Sequence, residues 1–369
     1  MKVAVLTSSR ADYGIYLPLL KRLQNDPLFD LSIIAFGSHL SNAFGFTLQS
    51  ILNDGFDITN TVETIPESDT PQAISRAMGK TITQFSDIWN DNKFDLVFCL
   101  GDRFEMFAAC ASSIPFNLKL AHIHGGEQTL GAIDESFRHA ITHMSTYHFT
   151  TTTQYRDRVI QLKQSDKNVF NVGALSIDNL TNLELLSSKE FIEKYDIDIE
   201  KPTILITFHP ETVSFEKNAW FVNELINALE EISGYQFIIT MPNSDTMGNE
   251  IRTRLNAFVN THTNAFAFES FGTLGYLSCM KHCSFMLGNT SSGFVEAAFF
   301  SKYVINLGSR QKGRIITSNI NSIPINKNEI LKAVSDYQNI NISESLNIYG
   351  NGTAADQIVD IIKNLHDRN

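Results

Sequence analysis

The chain has 369 residues, more than the ~250–300 at which a single hydrophobic core stops growing, so two domains are expected. With 43% hydrophobic and 19% charged residues, each domain can bury a core of its own, and the 27 Phe are expected to fill those cores. A formal net charge of −11 argues against a broad nucleic-acid surface, yet a small anionic ligand needs only a local cluster of donors.

The opening segment Met1-Lys2-Val3-Ala4-Val5-Leu6 is too short for a signal-peptide core, and no apolar run approaches the ~20 residues of a membrane span. The expectation is a soluble, cytoplasmic protein without membrane or nucleic-acid partners. Three of the four cysteines, Cys99, Cys110, Cys279 and Cys283, fall in or beside apolar segments, which reads as buried free thiols in a reducing compartment.

Residues 3–6 read as a buried strand and residues 15–23 as a helix by apolar spacing. Strands follow at 31–36 and 95–100, then a helix from about Phe104 and a strand at 119–123. A helix at 134–145, a strand at 147–151, a helix at 154–162 and a strand at 169–172 close the first half. Residues 178–202 are more polar and read as a linker with a helix in its middle. The alternation restarts with strands at 203–208, 236–240, 265–268, 284–287 and 303–306, separated by helices at 220–232, 249–260 and 274–281. A last amphipathic helix covers 354–365. Such alternation implies parallel sheets covered on both faces. The expected fold is therefore α/β, two doubly wound Rossmann-like domains at 1–177 and 178–350, with residues 351–369 packing back on the first. In such sheets ligands sit at the carboxyl ends of the strands, which places the active site in a cleft between the domains.

The chemistry-bearing residues cluster at those strand ends. Phe285-Met286-Leu287 leads into Gly288-Asn289-Thr290-Ser291-Ser292-Gly293, and Phe294, Val295, Ala297 and Ala298 lead out at helical spacing. A strand, a turn of small hydroxyl residues and a helix N-terminus suit a phosphate. Ser291 and Ser292 would add donors, Gly293 would allow close approach, and Glu296 would face a ribose diol; an N-capped helix with a surface Glu fits the same residues. Arg10 follows the first strand, but no G-x-G-x-x-G fingerprint supports a dinucleotide cofactor. Asp102 stands at another tip, as a reactive carboxylate or as a helix cap. In Ala121-His122-Ile123-His124-Gly125-Gly126-Glu127 the two histidines are expected on one face of a strand, with Glu127 just past the glycines. Asp134 and Glu135 open a helix with Arg138 and His139 one turn on. That set suits general acid–base work, or else an Asp134–Arg138 ion pair worth ~0.3–0.5 kcal/mol. A metal at His122, His124 and Glu127 fits no standard spacing. His209 ends the first strand of the second half, and Arg310, Lys312 and Arg314 follow the strand after the hydroxyl-rich turn.

Together S-R-A-D-Y-G, L-G-D-R-F-E, H-I-H-G-G-E, D-E-S-F-R-H-A-I-T, F-H-P-E-T, G-N-T-S-S-G and G-S-R-Q-K-G-R resemble the hydrolysing UDP-N-acetylglucosamine 2-epimerases of bacterial sialic- and legionaminic-acid pathways, in order from about residue 1 to 365. The resemblance implies a glycosyltransferase-B type fold, a homodimer or higher homo-oligomer, and a reaction without metal or other cofactor. A base takes the C2 proton as UDP leaves C1, and water then adds to the 2-acetamidoglucal. It implies catalytic roles for Asp102, Glu127, Asp134, Glu135, His209 and His124. Arg10, Arg138, Asn243, Ser291, Ser292, Gly293, Glu296 and Arg310 would bind the UDP-sugar. The family's non-hydrolysing members and its animal form carry a carboxylate where this chain has His124, so that carboxylate's role falls to His124 or to Glu127.

Overall fold

The computed structural model describes residues 1–243, 245–337, 340, 342 and 346–367. The chain divides into two compact units: residues 1–127, 134–182 and 348–369 form the first, and 128–133 with 183–347 form the second.

The first unit is built on seven strands: β1 (Lys2–Thr7), β2 (Asp30–Phe36), β3 (Ile58–Val62), β4 (Leu96–Leu100), β5 (Leu120–Ile123), β6 (Tyr147–Thr150) and β7 (Val169–Asn171). They form one parallel sheet in the order β3-β2-β1-β4-β5-β6-β7. Its inner strands are near-continuous apolar runs because both faces are covered. The covering helices are α1 (Arg10–Asn25), α2 (Leu48–Asn53), α3 (Pro71–Asp91), α4 (Phe104–Ser113), α5 (Asp134–Met144), α6 (Thr153–Lys163) and α7 (Leu175–Asn182).

The second unit repeats the plan with β8 (Thr203–Thr207), β9 (Gln236–Thr240), β10 (Ala265–Phe268), β11 (Phe285–Gly288), β12 (Val304–Leu307) and β13 (Ile320–Ile323). Its parallel order is β10-β9-β8-β11-β12-β13. Around it lie α8 (Ser188–Tyr195), α9 (Asn218–Leu229), α10 (Gly248–Thr261), α11 (Gly272–His282), the single turn α12 (Glu296–Phe299) and α13 (Lys327–Asp336). The final helix, α14 (Ala354–His366), belongs to the first unit. It buries Ala354, Ala355, Ile358 and Ile362 in the cluster that holds Tyr16, Leu20 and Leu23 of α1. Asp178 of α7 accepts the first two backbone N–H groups of α14, at 3.0 and 2.7 Å, which fixes where that helix starts.

Strand order reverses between β1 and β4 in the first sheet and between β8 and β11 in the second. Each reversal opens a crevice at the carboxyl ends, where loops leave on opposite faces. Among the described residues no helix is long and apolar enough to cross a membrane. All four cysteines are buried and free.

Candidate active site

The first unit gathers its reactive groups at the ends of β4 and β5. Gly101, with φ +77°, turns the chain out of β4 and presents Asp102. β5 stops at Ile123, and His124 steps out of it with φ +67°, a left-handed conformation that costs a side-chain-bearing residue ~1–3 kcal/mol. This corrects the expectation of two histidines on one strand face, because His124 lies beyond the pleat. His122, fully buried inside β5, is a clamp. Its Nε2 lies 2.8 Å from the Gly101 carbonyl and its Nδ1 3.1 Å from the Thr142 hydroxyl. A carbonyl only accepts, so Nε2 carries the proton and Nδ1 accepts from Thr142. Burial pushes the His122 pKa down to about 4, which keeps the ring neutral. With both nitrogens engaged, His122 has no lone pair left for a metal. Among the described residues no three His, Cys, Asp or Glu are grouped to hold one.

Arg138 of α5 is the hub. Its side chain, 2% exposed, pairs with Asp102 and with Glu135 Oε2 at 3.2 Å, and donates to the Glu127 carbonyl at 2.8 Å. Glu135 in turn holds His139 Nε2 at 2.9 Å. The guanidinium thus ties the tip of β4, the loop after β5 and the first turn of α5 into one network, far more than a surface ion pair along a helix. Asp134 opens α5, half-buried beside Glu135. Glu127 is buried; its Oε1 lies 3.3 Å from His124 Nδ1 and accepts the Thr151 hydroxyl at 3.1 Å. Arg10 is the first residue of α1, directly after the tip of β1. Asp12 is buried beneath that loop, accepting from Ser8, Ser9 and Thr7 and closing a capping box with Ser9.

In the second unit, His209 and Arg310 stand on the loops after β8 and β12. His209 Nδ1 is 3.8 Å and Arg310 3.3 Å from the same Asp245 oxygen, and Arg310 also donates to the Pro210 carbonyl. Of the other two cations, Arg314 is buried on Gln311 at 2.6 Å and Lys312 is exposed. Asn243 is half-buried in the loop after β9.

The turn after β11 departs from expectation. Instead of a helix N-terminus, a 3-10 turn over Ser291–Gly293 leads into the single turn α12. Thr290 caps it by accepting from the Ser292 N–H, while the Gly293 and Phe294 N–H groups bond back to Thr290 and Ser291. The Ser292 hydroxyl meets Tyr276 at 2.5 Å and Thr290 at 3.1 Å. Gly293 is explained by packing, since a Cβ there would come within 3.0 Å of Val304. Ser291 remains exposed and Glu296 is buried at the start of α12.

The model of the UDP-N-acetylglucosamine 2-epimerase family matches residues 21–363. The chain belongs to this family. It is similar to a hydrolyzing GDP/UDP-N,N'-diacetylbacillosamine 2-epimerase of Campylobacter jejuni, at 35% identity over 88% of this chain and 85% of the relative. It is also similar to the polysialic acid biosynthesis protein P7 of Escherichia coli, at 34% identity over 98% and 93%. A crystal structure of UDP-GlcNAc 2-epimerase from Neisseria meningitidis, bound to UDP-GlcNAc, shares the fold with a TM-score of 0.82 at 17% identity, covering 99% of this chain and 100% of that one. The expected class, two doubly wound α/β units of the glycosyltransferase-B type, is borne out.

Sequence reasoning passed over several residues that organise this candidate site. Asn289, fully buried, accepts from the His209 N–H at 2.7 Å, donates to the His209 carbonyl at 2.8 Å, and receives Gln311 on its own carbonyl. Glu211 is buried and accepts from both the Ser309 N–H and hydroxyl, fastening the loop that carries Arg310. Thr151 and Asp245 complete the set. Their one sequence signal is a polar residue placed just beyond an apolar strand, which marks a tip but not its contacts.

Proposed function

We propose that this chain is a hydrolysing 2-epimerase of a UDP-linked 2-acetamido sugar, converting UDP-N-acetylglucosamine and water to UDP and N-acetylmannosamine. The observation that carries this reading is the convergence of Asp102, Arg138, Glu135, Glu127 and His124 at the ends of adjacent strands β4 and β5. A C2 proton is poorly acidic, so its removal needs a held base and a stabilised leaving group. We assign the sugar to the first unit and the nucleotide to the second. There His209, Arg310, Ser291 and Ser292 would meet the diphosphate, with Asn243 and Gly293 beside them, and Glu296 the ribose. Arg10 would add a further cation to the diphosphate, and Asp134 a further carboxylate to the sugar.

A second reading replaces the substrate by UDP-2,4-diacetamido-2,4,6-trideoxyglucose, favoured by the name of the Campylobacter relative. Incubation with each sugar, chromatography of UDP and NMR of the sugar test both. Free epimerised sugar with equimolar UDP is expected, bearing deuterium at C2 when the solvent is D2O. A product still carrying UDP would replace the reading by a non-hydrolysing epimerase, and sugar transfer to an added acceptor by a glycosyltransferase.

A further inference from the structure

His124 and Glu127 share one location but differ in how their polar atoms are engaged. We propose that His124 Nε2 is the base that takes the C2 proton, with Glu127 and Thr151 as positioning residues that aim its ring. The inference rests on the reading above and assigns a role within it.

His124 is only 8% exposed, and its Nε2 has no hydrogen-bond partner among the described residues. A carboxylate only accepts, so the 3.3 Å approach of Nδ1 to Glu127 puts the ring proton on Nδ1 and leaves the lone pair on Nε2. A buried nitrogen without a hydrogen-bond partner is costly to keep, and a base that must face a C–H bond is left in that state. Glu127, by contrast, is fastened from several elements. Thr151, just past β6, donates to its Oε1; Arg138 of α5 holds its carbonyl; Arg158 of α6 holds the preceding Gly126 carbonyl at 2.7 Å. Gly126, with φ +81°, lies so close to α6 that a Cβ would come within 2.3 Å of the Tyr155 carbonyl. The two arginines fix the backbone that carries Glu127 and Thr151 holds its carboxylate, an arrangement suited to orienting a ring and balancing its charge. The left-handed backbone at His124 is the strain that such a grip sustains.

In the step itself, Nε2 takes the C2 proton and becomes an imidazolium paired with Glu127. The C–H electrons form the C1=C2 bond, and the C1–O bond breaks with its pair leaving on UDP. Water then supplies hydroxide to C1 and a proton reaches C2 from the other face, while the imidazolium proton passes to solvent. The sum is UDP-sugar plus water giving free sugar plus UDP.

The test compares wild type, His124→Asn, Thr151→Val and Thr151→Ser on both UDP-sugars, with C2-protiated and C2-deuterated substrate, and with UDP affinity by calorimetry as the check of folding. His124→Asn should lower kcat by ~10³-fold, in the range of a lost general base, with UDP affinity unchanged. Thr151→Val, isosteric but without the hydroxyl, should lower kcat by roughly tenfold at constant KM and raise the deuterium isotope effect, because it removes one hydrogen bond to a charged group. Thr151→Ser should restore most of the rate. Wild-type turnover alongside His124→Asn keeping more than about a tenth of kcat overturns this inference alone, since a general base is worth ~10²-fold or more. So does a Thr151→Ser as slow as Thr151→Val. A wild type that releases no UDP from either sugar overturns the proposed function and this inference with it.

Discussion

Arg138 places a charge where water scarcely reaches, and its value depends on the acids around it. Removing one partner of a buried pair leaves the other uncompensated, at ~3–5 kcal/mol when both are fully buried. Asp102 is 21% exposed on its side chain, so solvent screens some of that cost. Asp102→Asn keeps the shape and drops the charge. Stability to urea should fall by only ~1–2 kcal/mol, while kcat should fall ~10²-fold or more if Asp102 serves in the proposed sugar site, because the variant loses the charge that Arg138 holds there. Undiminished UDP release would remove Asp102 from the chemistry. The buried histidines give a different signal. Burial pushes His122 down to about 4 and His148, on β6 beside it, down to about 3. The unfolded chain protonates these rings near 6.5, so between pH 6.5 and 4 it binds more protons than the folded one. Stability is therefore full above pH 6.5 and is lost as pH falls through that window, by about 2 kcal/mol per histidine at pH 5. His148→Leu should show a smaller drop in urea midpoint between pH 7 and pH 5 than wild type; an equal drop would locate the acid sensitivity elsewhere.

The elements carry these residues to their places, and glycines decide how closely the strands approach. Gly288 ends β11 at φ +145°, and a Cβ there would sit 2.0 Å from the Thr207 carbonyl of β8. Gly288→Ala must push the central strands β8 and β11 apart and displace Asn289, the clamp on His209. It should cost several kcal/mol, whereas Gly234→Ala, at φ +80° with open space around it, pays only ~1 kcal/mol for its backbone. Thermal unfolding of the two variants separates contact from conformation; equal losses would refute the close approach. The same local physics governs what could be read from sequence. Buried inner strands are unbroken apolar runs, so β4, β8, β9 and β11 were legible to within a residue or two. The edge strands β3 (ITNTV) and β13 (INSI) have one covered side and few apolar residues, and went unseen. The 21-residue α3 also escaped. It buries Ile74, Ala77, Thr81, Phe85 and Trp89, a stripe in which two of five positions are small or polar. Strand tips announced Asp102, His124, His209 and Arg310. Asn289 and Thr151 instead enter the candidate site through polar contacts made after burial, which periodicity does not register.

At the scale of the whole molecule, sequence order and spatial grouping diverge at Glu127. Residues 128–133 leave the first unit and pack with the second. The Leu130 N–H bonds to the Lys312 carbonyl at 3.0 Å, the Ile133 N–H to the Thr212 hydroxyl at 2.9 Å, and a Cβ at Gly131 would meet the Ser309 backbone at 2.5 Å. Asp134 then resumes the first unit. One short segment thus joins Glu127, in the proposed sugar site, to the loop bearing Arg310, in the proposed nucleotide site. If the nucleotide belongs to the second unit, ligand protection should divide along the same line. Hydrogen exchange of the full chain with UDP alone should slow in residues 128–133, 208–212, 289–296 and 308–314. At 100-fold excess over Kd, binding adds ~2.7 kcal/mol to native-state stability, enough to slow exchange by about 100-fold wherever opening requires release of the ligand. Residues 101–103 and 122–127 should gain protection only when the sugar is present. Arg10 lies outside the second unit, so protection of residues 8–12 by UDP alone would place its guanidinium on the diphosphate, and protection by the UDP-sugar alone would place it on the hexose. UDP protection confined to residues 101–103 and 122–127 would reverse the assignment of the two units.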